Sequence, residues 1–342
     1  MDQYTVEARS LTKTYKVPVR EAGLAASIKA LFNRQQREVE AVKGIDFALA
    51  PGEVVGFLGP NGAGKTTTLK MLAGLLYPDA GAARVLGHIP ERRHPDFLSR
   101  IALVMGNRNS LQWDLPAVDS FQLEKAIYDI PEAEFAARQE RYVELLDVGE
   151  LITKPVRNLS LGERMKMEIV AALLHQPEVL FLDEPTIGLD VTMQKRLRQF
   201  VLDYKDEIGA TVLLTSHYMA DVVAMCERVI VIHQGELLFD GDLEGLARRF
   251  SNQKTLTVTT SQALPDMTAY GEVVSSGQDK ATLRVDRDDV ARVAARVLAD
   301  LDVIDLNIED PPIEDVIESA FAAPGASARE EATTSSGVED PA

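Results

Sequence analysis

The sequence predicts an α/β fold: a mostly parallel sheet covered by helices, with a helical subdomain, followed by a small α+β domain. Three observations carry this. Short apolar runs alternate with segments of helical periodicity between residues 54 and 233, the pattern of strand–helix–strand units and parallel pairing. A glycine-rich stretch at 59–66 separates an apolar run from a helical one. After about residue 250 the apolar residues alternate in short runs around one amphipathic stretch. The expected domains are 1–248, with an inserted segment at 16–39 and a helical subdomain at about 100–165, then 253–322, then a disordered tail at 323–342.

Taken in order, 5–11 reads as a strand, and 40–49 leads through the turn Pro51-Gly52 into the apolar strand 54–58. In the inserted segment, Leu24, Ile28, Leu31 and Phe32 recur at helical spacing and form one apolar stripe. That stripe fits a helix packed on its own domain or a docking element for a membrane partner or lipid surface. Residues 65–76 read as a helix and 120–147 as mostly helical. Helix 163–175 precedes strand 178–182, helix 192–207 precedes strand 211–215, and another strand starts at 229. In the last domain Leu256 and Val258 alternate with threonines, and Leu283 and Val285 alternate with polar residues. Val290, Val293, Ala294 and Val297 share a helix face, 303–308 reads as a strand and 313–322 as a short helix. Residues 302–318 hold seven carboxylates and no basic side chain, a solvated acidic face or a contact for a basic partner. The tail is rich in Ala, Ser, Thr and acids, with almost nothing to bury.

The 342 residues carry 53 acidic against 36 basic side chains, a formal charge of -17. Such a surface repels nucleic-acid phosphates, and no long basic run offsets it, so no nucleic-acid partner is expected. The one cysteine, Cys226, cannot make an internal disulfide, which fits a reducing compartment. No apolar run approaches the roughly 20 residues of a spanning helix, and MDQYTVEARS lacks the features of a signal peptide. Any membrane role is therefore expected to come through a separate chain.

The chemistry is expected around Gly59-Pro60-Asn61-Gly62-Ala63-Gly64-Lys65-Thr66, which matches a phosphate-binding loop in full. Glycines let backbone N–H groups converge on one anion, and the helix start adds positive potential. Lys65 is expected on the outer phosphates and the Thr66 hydroxyl on Mg²⁺; Thr67 completes the expected nucleotide-binding run. In Val179-Leu180-Phe181-Leu182-Asp183-Glu184, an apolar strand ends in two carboxylates. Asp183 suits Mg²⁺, and Glu184 suits the general base facing the attacking water, a role worth roughly 10²–10⁴-fold in rate. His217 follows strand 211–215 at the sheet edge where ligands gather, and reads as a γ-phosphate sensor.

These residues resemble the nucleotide-binding subunit of ABC transporters, over roughly residues 4–245. Leu159-Ser160-Leu161-Gly162-Glu163 resembles the family's signature motif, Ile187-Gly188-Leu189-Asp190 its D-loop and His217 its switch histidine, while Tyr15 resembles the aromatic that stacks on adenine. The resemblance implies a P-loop NTPase (ABC ATPase) fold and an ATP-hydrolysing enzyme that uses ATP and Mg²⁺. It also implies a mechanism. ATP lies between two nucleotide-binding domains, a homodimer of this chain, with Ser160 and Gly162 acting in trans and Asp190 at the same interface. Closure and reopening then drive separate membrane permease subunits from the cytoplasmic face of the cell membrane, to which the chain binds peripherally.

Three departures stand out. Leu161 replaces the usual glycine and Glu163 the usual glutamine of the signature. Asn107, in Val104-Met105-Gly106-Asn107, stands at the Q-loop position with one methylene less reach to Mg²⁺ and water than a glutamine; Gln112 is a possible substitute. The segment after Tyr15, the Trp113-Asp114-Leu115-Pro116 stretch and the small last domain resemble the ABC-2-type exporter branch, which is similar to drug, viologen and polysaccharide or lipid exporters. Trp113 fits a core aromatic or part of the permease docking surface.

Overall fold

The structure, a computed structural model, describes residues 3–18, 36–106, 110–216 and 218–322. Two compact units divide the chain after Asp240. The first opens with β1 (Val6–Pro18), β2 (Gln36–Leu49), β3 (Val54–Leu58), α1 (Lys65–Leu72), β4 (Ala80–Val85) and the short α2 (Pro95–Leu98). It continues through β5 (Ile101–Met105), α3 (Ala117–Ile127), α4 (Glu132–Leu145), α5 (Leu161–Leu173) and β6 (Val179–Asp183). Then follow α6 (Val191–Ile208), β7 (Thr211–Thr215), α7 (Met219–Met225), β8 (Arg228–His233) and β9 (Glu236–Asp242).

One sheet has the order β5-β6-β7-β3-β8-β9, and the pairs from β5 through β8 are parallel. Strands β3, β6 and β7 are buried along their whole length. Burial on both faces is why they read as continuous apolar runs rather than alternations. Phe57, Phe181, Leu213 and Ile230, one from each of four strands, have no exposed surface. A second sheet, β2-β1-β4, is antiparallel, and Phe47 of β2 meets Phe57 with ring centroids 5.8 Å apart.

Several expectations shift. The first strand runs to Pro18 and β2 begins at Gln36, so cross-strand pairing takes both flanks of the expected insertion. Leu24, Ile28, Leu31 and Phe32 lie outside the described residues, as does the expected disordered tail. The stretch 120–147 is two helices, with Pro131 at the N-cap of the second. Proline has no N–H to continue a helix but is well suited to start one. Helix α6 starts on the side chain of Asp190, which accepts from Met193 N–H, and stops at Gly209 in the left-handed conformation.

The second unit contains α8 (Leu243–Phe250), β10 (Gln253–Thr260), β11 (Glu272–Ser276), β12 (Lys280–Asp286), α9 (Val290–Asp300), β13 (Val303–Glu309) and α10 (Ile313–Ala322). Its sheet is antiparallel in the order β11-β12-β10-β13. Leu256, Val258, Leu283 and Val285 form one buried face, and Val293, Ala294 and Val297 of α9 pack on it. Helix α8, expected at the end of the first domain, belongs by its contacts to this unit, where it packs against α10. Among the described residues no helix is long and apolar enough to cross a membrane.

Candidate nucleotide site

Strand β3 delivers the chain into the loop 59–64, and α1 begins at Lys65. Gly64 sits at the N-cap with φ 111, where a Cβ would stand 2.4 Å from the carbonyl oxygen of Ala41. Only glycine fits that turn. No side chain caps α1, so its first-turn N–H groups are left for an outside acceptor at the positive end of the helix dipole. Asn61 and Gly62 are exposed at the rim, Ala63 is buried with its N–H on the carbonyl of Pro60, and Thr66 and Thr67 are half-buried. Lys65 is only 6% exposed, and its Nζ donates to the carbonyls of Gly59 at 2.5 Å and Pro60 at 3.1 Å. Burial holds its pKa below the usual lysine value, while Glu184 and Asp183 pull in the opposite direction. A desolvated ammonium with only carbonyl partners is best satisfied by an anion.

Asp183, the last residue of β6, commits both carboxylate oxygens. Oδ2 accepts from Thr66 Oγ1 at 2.7 Å and Oδ1 from Thr215 Oγ1 at 2.7 Å. The phosphate loop and the acidic strand end are thereby joined directly. Glu184, next along, has φ 56, a left-handed conformation of a kind that costs about 1–3 kcal/mol and clusters at functional sites. Its N–H holds the turn by donating to the Thr215 carbonyl and Oγ1, each at 3.1 Å. Gly106 donates its N–H to the carbonyl of Asp183 at 2.9 Å, so the end of β5 meets the same point. Asn107 and His217 themselves lie outside the described residues.

Thr215 was not foreseen, and neither was a second cluster beside it. Asp221 has no exposed surface; its carboxylate accepts from Arg198 Nε at 2.6 Å, Ser216 Oγ at 2.7 Å and Thr186 Oγ1 at 2.5 Å. It thus links the turn after Glu184, the end of β7 and helix α6. Nothing local in the sequence marks Asp221, whose partners come from three separate segments.

The signature segment is built separately. Ser160 is the N-cap of α5, and Glu163 closes a capping box: Ser160 Oγ accepts from Glu163 N–H at 3.3 Å, and Ser160 N–H donates to Glu163 Oε2 at 2.8 Å. These bonds hold the Glu163 carboxyl below its usual pKa. Leu161 leans over the D-loop: a Cβ on Gly188, whose φ is 75, would stand 2.8 Å from Leu161 Cδ2. A Cβ on Gly162 would meet the Gly188 carbonyl at 2.6 Å. Among the described residues no hydrogen bond joins Ser160, Gly162 or Asp190 to Lys65, Thr66 or Asp183. Tyr15 lies on β1, partly exposed, opposite Val39. Trp113 is 47% exposed rather than core, under the guanidinium of Arg164 at 5.6 Å, and Gln112 is exposed with its N–H on Ser120 Oγ.

The arrangement can seat an anionic phosphate chain on backbone N–H groups and one buried ammonium, with two carboxylates at its outer end. Comparison with known proteins agrees. Residues 42–187 match the ABC transporter family model, and residues 252–309 match the EvrA-like ABC transporter C-terminal domain. The chain is 36% identical over 215 residues to the ABC transporter ATP-binding protein NatA of Bacillus subtilis (strain 168), covering 63% of this chain and 87% of that protein. It is 34% identical over 261 residues to the daunorubicin/doxorubicin resistance ATP-binding protein DrrA of Streptomyces peucetius, covering 75% of this chain and 76% of that one. A solved ATP-binding subunit of an ABC transporter superposes with a TM-score of 0.61 at 25% identity, covering 72% of this chain and 93% of that one. With a phosphate loop bonded to an acidic strand end and relatives matched over most of their length, the chain belongs to the ABC transporter ATP-binding proteins, the ATP-hydrolysing subunits of membrane transporters.

Proposed function

We propose that the chain is the motor subunit of an ABC-2-type exporter, working as a homodimer at the cytoplasmic face of the cell membrane on separate permease subunits. The observation that carries the site reading is the Thr66–Asp183 hydrogen bond at 2.7 Å, with Lys65 buried beside the same carboxylates. In this reading the loop from Gly59 to Thr67 cradles the β- and γ-phosphates, and Lys65 neutralises them. Glu184 takes the proton of the attacking water. His217 and Asn107 contact the γ-phosphate and water, and Tyr15 stacks on adenine. Ser160, Gly162 and Asp190 complete the partner's site.

The residues fit Mg²⁺. Thr66 and Asp183 are hard oxygen donors, and no cluster of three or more His, Cys, Asp or Glu is found among the described residues. That suits an ion held by one or two protein groups together with substrate phosphates and water. When bound, the ion neutralises charge on the transferring phosphoryl group.

Export is supported by the drug-resistance relative, and separate permeases by the lack of spanning helices among the described residues. Replacement of Glu184 by Gln tests the site: ATP binding persists, an ATP-bound dimer accumulates on size exclusion, and turnover falls by at least 10²-fold. Unchanged turnover removes Glu184 from its role. Recovery of the native protein with ribosomes or DNA and without a membrane protein overturns the exporter reading.

A further inference from the structure

Glu184 stands in a conformation that its neighbours must enforce. Its φ of 56 is left-handed, whereas the residue before a proline, here Pro185, is pushed toward extended backbone. Such a conformation persists only where the surrounding structure over-determines it. On the N-terminal side the restraint is direct, since Glu184 N–H donates to the carbonyl and hydroxyl of Thr215. On the C-terminal side Pro185 has no N–H to give, and Ile187 N–H reaches back only to the Glu184 carbonyl, at 3.3 Å. The next tie from this turn to another element is the Thr186 hydroxyl. Thr186 is 1% exposed, and its Oγ1 donates to Asp221 Oδ2 at 2.5 Å.

Asp221 lies in the first turn of α7 and is fully buried. The oxygen that takes the Thr186 hydroxyl also accepts from Ser216 Oγ at 2.7 Å, while Oδ1 accepts from Arg198 Nε of α6 at 2.6 Å. Ser216 directly follows Thr215, the residue that grips Glu184 N–H. One carboxylate oxygen therefore fastens the chain on both sides of the strained residue. Hydroxyl bonds to a carboxylate are roughly twice as strong as neutral ones, and the guanidinium ties the same group to α6. We infer that Asp221 is a positioning residue for Glu184: it holds the turn 184–186 against the end of β7, which fixes the direction in which the Glu184 carboxylate leaves the backbone. Asp221 acts through Thr186 and Ser216. This rests on the role proposed above for Glu184 as general base.

The test is steady-state ATPase activity of the full chain and its Thr186→Val, Thr186→Ser, Ser216→Ala and Glu184→Gln variants, with ATP affinity measured alongside and single-turnover hydrolysis for the slow proteins. Valine keeps the shape of Thr186 and removes its hydroxyl, so the tie is lost while its space stays filled. Thr186→Val is expected to lower kcat about tenfold, with KM and ATP affinity within twofold of the parent, because a misplaced base costs rate rather than binding. Thr186→Ser keeps the hydroxyl and holds kcat within twofold of the parent. Added to Glu184→Gln, Thr186→Val lowers the residual rate by less than twofold, since both act through one group. A Thr186→Val kcat within twofold of the parent overturns the inference, as does a serine variant as slow as the valine one. So does a tenfold fall that persists in the Glu184→Gln background, which marks a structural role unconnected with the base. If Thr186→Val does not fold, Ser216→Ala is held to the same criteria of kcat, KM, affinity and additivity. Full turnover in Glu184→Gln overturns the base assignment itself.

Discussion

Lys65 is held in a way that suits an anionic ligand. Its ammonium is desolvated, which lowers its pKa, donates to two loop carbonyls, and lies in the field of two carboxylates that oppose that lowering. Lys65→Ala removes charge-assisted bonds worth roughly 1.5–3 kcal/mol, so ATP affinity should fall by tenfold or more in a fluorescence titration. Affinity equal to the parent's contradicts the phosphate-loop reading. Glu163 behaves differently. Its carboxyl titrates below its usual range because Ser160 N–H binds the charged form. The charged form of Glu163 therefore adds stability above the ordinary glutamate pKa, and that addition is lost as pH falls through the lowered one. Glu163→Gln keeps the box but loses the anion at the helix start, about 0.3–1 kcal/mol. The stability gap between the two proteins, measured by urea denaturation, should narrow as pH falls below the ordinary glutamate range; a gap independent of pH contradicts this. Lys65, Thr66, Asp183 and Glu184 were legible because their motifs are contiguous runs with a chemical rationale. Thr215 and Asp221 were not, since a threonine at a strand end and an acid in a short helix acquire partners only when distant loops converge.

Among the elements, α5 and the turn before α6 are locked by close backbone contact. Gly162→Ala forces a Cβ toward a backbone oxygen 2.6 Å away, so the signature segment must shift. The expected result is a kcat at least tenfold lower with nucleotide affinity retained, read by steady-state kinetics; an unchanged kcat shows that the two segments move freely past each other. The same contact gives Leu161 a use. It covers Gly188, so the departure from the family's glycine is accommodated by a residue with no side chain opposite. The buried strands were easy to read because parallel sheets bury both faces. The extent of β1 and β2 was not. Their outer halves mix Thr, Lys, Glu and Arg with Tyr15, Val17 and Val39, which stay exposed, and pairing there comes from the backbone, Thr14 with Glu40 through Pro18 with Gln36, so no buried apolar face marks it. The break between α3 and α4 was written in Pro131, and a helix count over the whole stretch passed over it.

For the molecule as a whole, acidity of the medium should act through His175. Burial depresses its pKa to about 4, with Nε2 on the carbonyl of Ile101 and the ring stacked on Tyr128 at 3.9 Å. The unfolded chain takes up a proton near the ordinary histidine value of 6.5, whereas the folded one stays neutral to about pH 4. Stability therefore drops as pH falls across that window, by on the order of 3 kcal/mol at most. The His175→Gln variant should lose less over the same range in urea titrations of the first unfolding transition. Parallel slopes for both proteins contradict the assignment. At this scale the sheet order also has a consequence. Strand β7 lies between β3, which launches the phosphate loop, and β6, which ends in Asp183. Two inter-strand steps of about 4.8 Å put these launch points roughly 10 Å apart. That spacing is a gauge set by backbone pairing, which no side-chain change can widen. The loops hang from rails of fixed gauge, and Thr215, bonded to Asp183, lies across them like a sleeper.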